Sequence, residues 1–144
     1  MIEQALRNHL SAQPELAELL AIYGKEPAIF NQEAPADTDA GWGSGPQYGR
    51  IVFYEAIDGD PARTAGGTLE VDILCNKDNP VTPEDIEPTL RKLIHGYFFS
   101  NGTFTVSAQF KDTRYFTQPT NQVSGCTVSF TSWDSPSLPP VALT

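Results

Sequence analysis

Positive charge is scarce in this chain. Nine Lys and Arg stand against eighteen Asp and Glu, a formal net charge of −9 over 144 residues. Phosphate affinity comes mainly from Lys and Arg, and only Arg91 and Lys92 are adjacent. Specific nucleic-acid binding and adhesion to an anionic membrane are therefore not expected. There are two cysteines, Cys75 and Cys126, far apart in apolar, strand-like runs. They read as buried thiols in a reducing compartment, with a disulfide between neighbouring strands as the alternative. The two histidines, His9 and His95, have no Cys or His nearby at metal-ligand spacing, and each reads as structural. No apolar run approaches the roughly 20 residues of a membrane span. Met1-Ile2-Glu3-Gln4 lacks the basic start of a signal peptide, so a cytosolic product is expected.

Chemical motifs are missing as well. There is no nucleophile elbow, phosphate loop or zinc signature. Gly41-Trp42-Gly43-Ser44-Gly45 has neither the preceding strand nor the following helix that a phosphate site needs. Asp58-Gly59-Asp60 resembles a fragment of a calcium loop, but Pro61 follows at once and the closing glutamate is absent. Glu70 and Asp72 share a strand face, with Glu55 on the neighbouring strand. Paired carboxylates can do acid–base work or hold a hard cation. A solvated face, or one that meets basic residues of another subunit, accounts for them as well. No catalytic residue, metal or cofactor is expected, and the chain does not read as an enzyme.

What is present is one domain spanning 1–144, with 40% hydrophobic residues and generous loops from twelve prolines and eleven glycines. Ile2, Leu6 and Leu10 recur every four residues and predict a helix over 2–12. Pro14 opens a second short helix, or a kinked continuation of the first, with Leu16, Leu19, Leu20 and Tyr23 on its buried face, stopped by Gly24. A short extended piece is expected around Ala28-Ile29-Phe30, then a long Gly/Pro-rich loop over 31–50. Its Trp42 either folds back on the domain or is held ready for a partner. Ile51 to Ile57 and Thr68 to Asn76 predict an antiparallel hairpin whose loop carries Asp58, Asp60 and Arg63 and is expected to project. Thr82-Pro83-Glu84-Asp85 starts a helix predicted to run to about Phe98, with Ile86, Leu90, Leu93, Ile94 and Tyr97 on its apolar face. Asn101-Gly102 marks a turn, two alternating strands follow around 104–111 and 126–131, and 134–144 reads as an extended Pro-rich tail. The expected class is α+β: a mainly antiparallel sheet of four or more strands with helices on one face, in the order α-β-β-α-β-β.

The polar faces of the last two strands, Thr105, Ser107, Gln109 and Thr127, Ser129, Thr131, carry little charge. Exposed strands normally carry charge to prevent association, so these faces suit a subunit contact; ordinary solvent exposure is the alternative. With Trp42, Tyr48, Asp58, Asp60, Arg63, Glu70 and Asp72 they form the set of candidate interface residues.

In the order and spacing of its elements the chain resembles the tail-terminator, or tail-completion, proteins of long-tailed bacteriophages and prophages. Ile2 to Leu10 followed by Gln13-Pro14-Glu15-Leu16-Ala17-Glu18-Leu19-Leu20 is similar to that family's opening helices. Pro46-Gln47-Tyr48-Gly49-Arg50-Ile51-Val52-Phe53-Tyr54 looks like its Pro-x-Tyr approach to the first long strand, and Leu69-Glu70-Val71-Asp72-Ile73 like its second. The helix from Ile86 to Phe99 and two closing strands complete the order. The glycine-rich stretch at 36–45 and the Pro-rich tail depart from the family pattern. The resemblance implies a structural morphogenesis protein that assembles in the host cytoplasm and ends up in the virion tail. Its partners would be copies of itself in a ring, typically a hexamer, from a chain that can be monomeric in solution. Others would be the tail-tube protein and a head-completion protein, with no specific nucleic acid and no membrane. Another head–tail joining or minor tail protein is the nearest alternative. A small-ligand-binding module or enzyme using a sheet–helix cleft is the alternative of a different class.

Overall fold

The computed structural model describes residues 3–43, 48–57, 66–77, 80–100, 104–118 and 122–136. Helix α1 (Glu3–Ser11) buries Leu6 and Leu10, one turn apart, completely. Pro14 opens α2 (Pro14–Ala17), where its missing N–H costs nothing. The second helix is shorter than predicted: Leu20 is buried, but Tyr23 lies in a two-stranded ribbon, β1 (Ile22–Tyr23) against β2 (Glu26–Pro27). Gly24, at φ +65°, makes the reversal between them.

The main sheet has six strands: β3 (Ile29–Asn31), β4 (Arg50–Ile57), β5 (Gly66–Asn76), β6 (Phe98–Ser100), β7 (Phe104–Gln118) and β8 (Val123–Pro136). Their order is β3-β4-β5-β8-β7-β6. A 3-10 turn (Ala40–Trp42) lies between β3 and β4, and α3 (Pro83–Ile94) lies between β5 and β6. The class is α+β, but the sheet is mixed. β3 pairs with β4 in parallel, Ile29 beside Ile51. Every other neighbouring pair is antiparallel. The expected order α-β-β-α-β-β therefore missed β1, β2, β3 and β6 as paired strands.

Alternation sets the core. Leu69, Val71, Ile73 and Cys75 of β5 are buried on one face, opposite Phe130, Val128, Cys126 and Ser124 of β8. The helices cover that face: Leu6, Leu10, Leu16, Ile86, Leu90 and Ile94 join the same cluster. Each fully buried Leu or Ile side chain contributes about 1.5–3 kcal/mol. Cys75 and Cys126 are buried and free, and burial pushes their thiols up to about 11 and about 12.

Helix α3 starts where the Thr-Pro-Glu-Asp signal predicts, and the Asp85 carboxylate accepts from Thr82 N at 2.9 Å and from Thr82 Oγ1 at 3.0 Å. The end of α3 differs from expectation. The helix stops at Ile94, and Gly96 sits at φ +75° and turns the chain into β6. Tyr97 is consequently exposed and not on the apolar face. Strand pairing of Phe98–Ser100 with Ser107–Thr105 begins at Phe98, where the expected helix was to end. The two histidines brace this corner. His9 Nε2 lies 2.8 Å from the Leu93 carbonyl and its ring stacks on Tyr97 at 3.7 Å, while Phe110 N donates to His95 Nδ1 at 2.8 Å.

A β-bulge between Phe110 and Asp112 makes Lys111 an extra residue in β7. Beyond it the faces exchange parity: Thr113 and Tyr115 stand opposite Val128 and Cys126 on the helix-covered side. The closing strand continues to Pro136, so 134–136 belong to the sheet and not to a tail. The loop 58–65, Asn101-Gly102 and residues 137–144 lie outside the described residues.

Candidate interaction surface

The sheet face opposite the helices is where the sequence candidates gather. Strand parity and register put Glu70 and Asp72 of β5, Thr127, Ser129 and Thr131 of β8, and Ser107 and Gln109 of β7 on it together. Thr105 shares that parity by register opposite Ser135. Rows run straight across the strands: Val52, Asp72, Thr127, Arg114, and next to it Tyr54, Glu70, Ser129, Asp112. The hydroxyl stripe of β8 thus runs between acidic β5 and mixed-charge β7. Thr127 Oγ1 donates to Asp72 Oδ1 at 2.7 Å, and Arg114 lies 3.8 Å from Asp112. Tyr54 is exposed on this face; burial raises its phenol, and the charge of Asp72 and a hydrogen bond to it raise it further. Asp58, Asp60 and Arg63 lie outside the described residues.

Trp42 and Tyr48 sit at one margin of the same face, and they do a different job from the strand residues. Arg50 opens β4 on the parity of Val52 and Tyr54, pointing away from the helices, yet it is 5% exposed. Asp37, Trp42 and Tyr48 from the loop before it close over it. The guanidinium carbon lies 4.5 Å from the Trp42 ring centre and 4.1 Å from that of Tyr48. Arg50 Nη2 donates to Asp37 Oδ1 at 2.8 Å, and Tyr48 Oη donates to Asp37 Oδ2 at 2.8 Å. Burial pushes the Asp37 carboxyl up, but those two hydrogen bonds and the charge of Arg50 outweigh it and hold it below its usual range.

Trp42 is itself 3% exposed. Its Nε1 donates to the Ala36 carbonyl at 2.9 Å, and Tyr23 and Phe30 meet its ring edge-on at 5.0 and 5.7 Å. Asp39 ties the turn: it accepts from Gly41 N at 2.8 Å and from Tyr23 Oη at 2.9 Å, bonds that hold its carboxyl below the usual range. Of the two roles open to Trp42, the structure shows the first: it folds back and anchors the loop. Arg50 and Asp37, which hold this second small core, were missed in the sequence. The signal was an arginine on the polar parity of a strand, preceded by a tyrosine and an acidic loop.

Among the described residues no cluster of His, Cys, Asp and Glu could hold a metal ion. A cavity of about 440 Å³ lies at the far end of the sheet, lined by Lys77, Thr117, Gln118, Gln122, Val123 and Ser124. A second, about 300 Å³ and more apolar, lies beside Trp42 and Ile22.

No protein-family model matches the sequence, and no curated protein matches it significantly. The fold is found in solved structures. One is a chain from a structure described as the virion of a native gene transfer agent particle, with a TM-score of 0.66 and 13% identity over 94% of each chain. Another solved chain reaches a TM-score of 0.60 at 13% identity, covering 96% of this chain and 92% of its own. The likeness is therefore one of fold across nearly the whole domain.

Proposed function

We propose that this chain is a structural protein of a phage or phage-like particle, and within that class a tail terminator that forms a ring, hexameric in the assembled tail, on the end of the tail tube. The observation that carries the reading is the fold shared over 94% of both chains with a component of a gene transfer agent virion. The opening helices, the Pro-x-Tyr approach to the first long strand and the closing strand pair support the finer assignment. A ring needs two complementary patches on each subunit. The sheet face with Asp72, Thr127 and Arg114 presents acidic, hydroxyl and mixed-charge stripes side by side, which suits one such patch. The excess negative charge suits a channel that DNA passes through without adhering.

The role is non-catalytic in this reading. Glu70 and Asp72 stand on the open sheet face, away from the cleft between sheet and helices that a ligand-binding module or enzyme would use.

The test is assembly. The purified chain mixed with tail-tube subunits of the same phage or prophage should form rings that cap tube ends and stop their growth, seen by negative-stain electron microscopy. Monomer throughout, with tubes that grow uncapped, would rule out the terminator role. Binding to a head-completion protein without capping would move the assignment to another joining protein.

A further inference from the structure

β7 is fifteen residues long, but its outer edge is only partly covered. β6 pairs with Thr105–Ser107, and the α3 corner then takes over: Gly96 N donates to the Ala108 carbonyl at 2.8 Å and Phe110 N to the His95 ring. After the bulge at Lys111, no strand among the described residues lies beside 112–118 on that side. The free segment, Asp-Thr-Arg-Tyr-Phe-Thr-Gln, has no Pro or Gly and is rich in strand formers. Tyr115, at its centre, is 52% exposed on the helix-covered side of the sheet, near Glu84 and Glu87 of α3. Open edges of this length act as templates for strand addition unless they are blocked.

We propose that this edge pairs antiparallel with the same edge of a second copy, about a two-fold axis at Tyr115. Length selects the occupant. Among the described residues the other uncovered edges are shorter: β3 and β6 have three residues each, and β4 is uncovered only beyond Phe53, so the edge of matching length is the same one on another molecule. The charge pattern agrees. A two-fold at Tyr115 places Asp112 opposite Gln118, Thr113 opposite Thr117, and Arg114 opposite Phe116, with no like charges facing. The two Tyr115 rings meet on the helix-covered side. A seven-residue strand pair buries less than the roughly 1,200 Å² of a standard interface, so the dimer is weak and concentration-dependent. The inference does not rest on the tail-terminator reading, since it concerns the free chain.

A single cysteine reports the axis. Directly opposed strand residues have Cβ atoms about 4.5–5.5 Å apart, close to disulfide range. Cys126 stands directly opposite Tyr115 on β8, so both cysteine variants are made in a Cys126→Ser background; Cys75 is buried and does not compete. Under mild oxidation Tyr115→Cys should cross-link into dimers about tenfold faster than Tyr54→Cys, an exposed control on the opposite face. Wild-type sedimentation should show a monomer–dimer equilibrium, weakened about tenfold in Tyr115→Lys, which sets like charges face to face. Equal cross-linking of the two cysteine variants, or wild type that stays monomeric at millimolar concentration, overturns the proposal. Should Tyr115→Lys fail to fold, those two measurements still decide it.

Discussion

Arg50 and Asp37 meet at 2.8 Å, with the arginine buried between two aromatic rings and the aspartate half open to solvent. This pair fastens the long 31–50 loop to the first strand of the hairpin. A lysine at 50 keeps the charge but loses the planar fork and the stacking. Arg50→Lys should therefore cost about 1–3 kcal/mol, read as a lower urea midpoint with an unchanged slope.

The same pair makes the loop sensitive to acid. The Asp37 carboxyl is held below the ordinary aspartate value of 3.8. A depressed carboxylate contributes stability that is complete above its unfolded value and is lost as pH falls through its folded value. The protein should thus hold its stability down to about pH 4 and lose it progressively below. Asp37→Asn should start lower and show a shallower loss over that window, measured by unfolding at a series of pH values.

Trp42 allows two separable substitutions. Trp42→Phe removes the bond to the Ala36 carbonyl and keeps most of the packing, at a cost of about 1 kcal/mol. Trp42→Ala empties the centre of the small core and should cost about 3–5 kcal/mol. Equal melting temperatures for the two variants would contradict the anchoring role.

Gly125 lies where a side chain has no room. A Cβ there would run into the backbone carbonyl of Ile73 and the ring of Phe116. A carbonyl in the sheet ladder cannot move aside without breaking strand pairing. Gly125→Val should destabilise by about 1–3 kcal/mol or more, visible as a lower melting temperature or loss of soluble protein.

The thiols should be silent in the folded state. Burial holds Cys75 at about 11 and Cys126 at about 12, so neither forms appreciable thiolate near neutral pH. A disulfide reagent at pH 8 should modify both only at the rate of unfolding, and both at once in urea. Rapid modification of either in native protein would contradict their placement.

The pattern of apolar residues carried much of the fold. The four-residue spacing of Leu6 and Leu10 and the alternation from Leu69 to Cys75 each left one register that buries leucine and exposes acid. The Thr-Pro-Glu-Asp start of α3 was equally legible, because its capping bonds are local. The end of α3 was not. Leu93 to Phe98 fits a helix by periodicity, but pairing with β7 and the turn at Gly96 decide it, and periodicity carries no information about the strand that follows. The bulge at Lys111 is invisible for the same reason: it is a property of two paired strands, not of one.

The candidate surface divides along the same line. By itself the sequence determined that the strand residues Glu70, Asp72, Thr127, Ser129 and Thr131 point away from the core, since period-two alternation allows only two faces. Only the tertiary structure decided that these faces adjoin, because strand order depends on contacts distant in the chain. It also decided that Trp42 is spent on holding a loop. A buried arginine is too costly to leave unpaired, and Asp37, Tyr48 and Trp42 reach Arg50 only once the loop has folded across the strand.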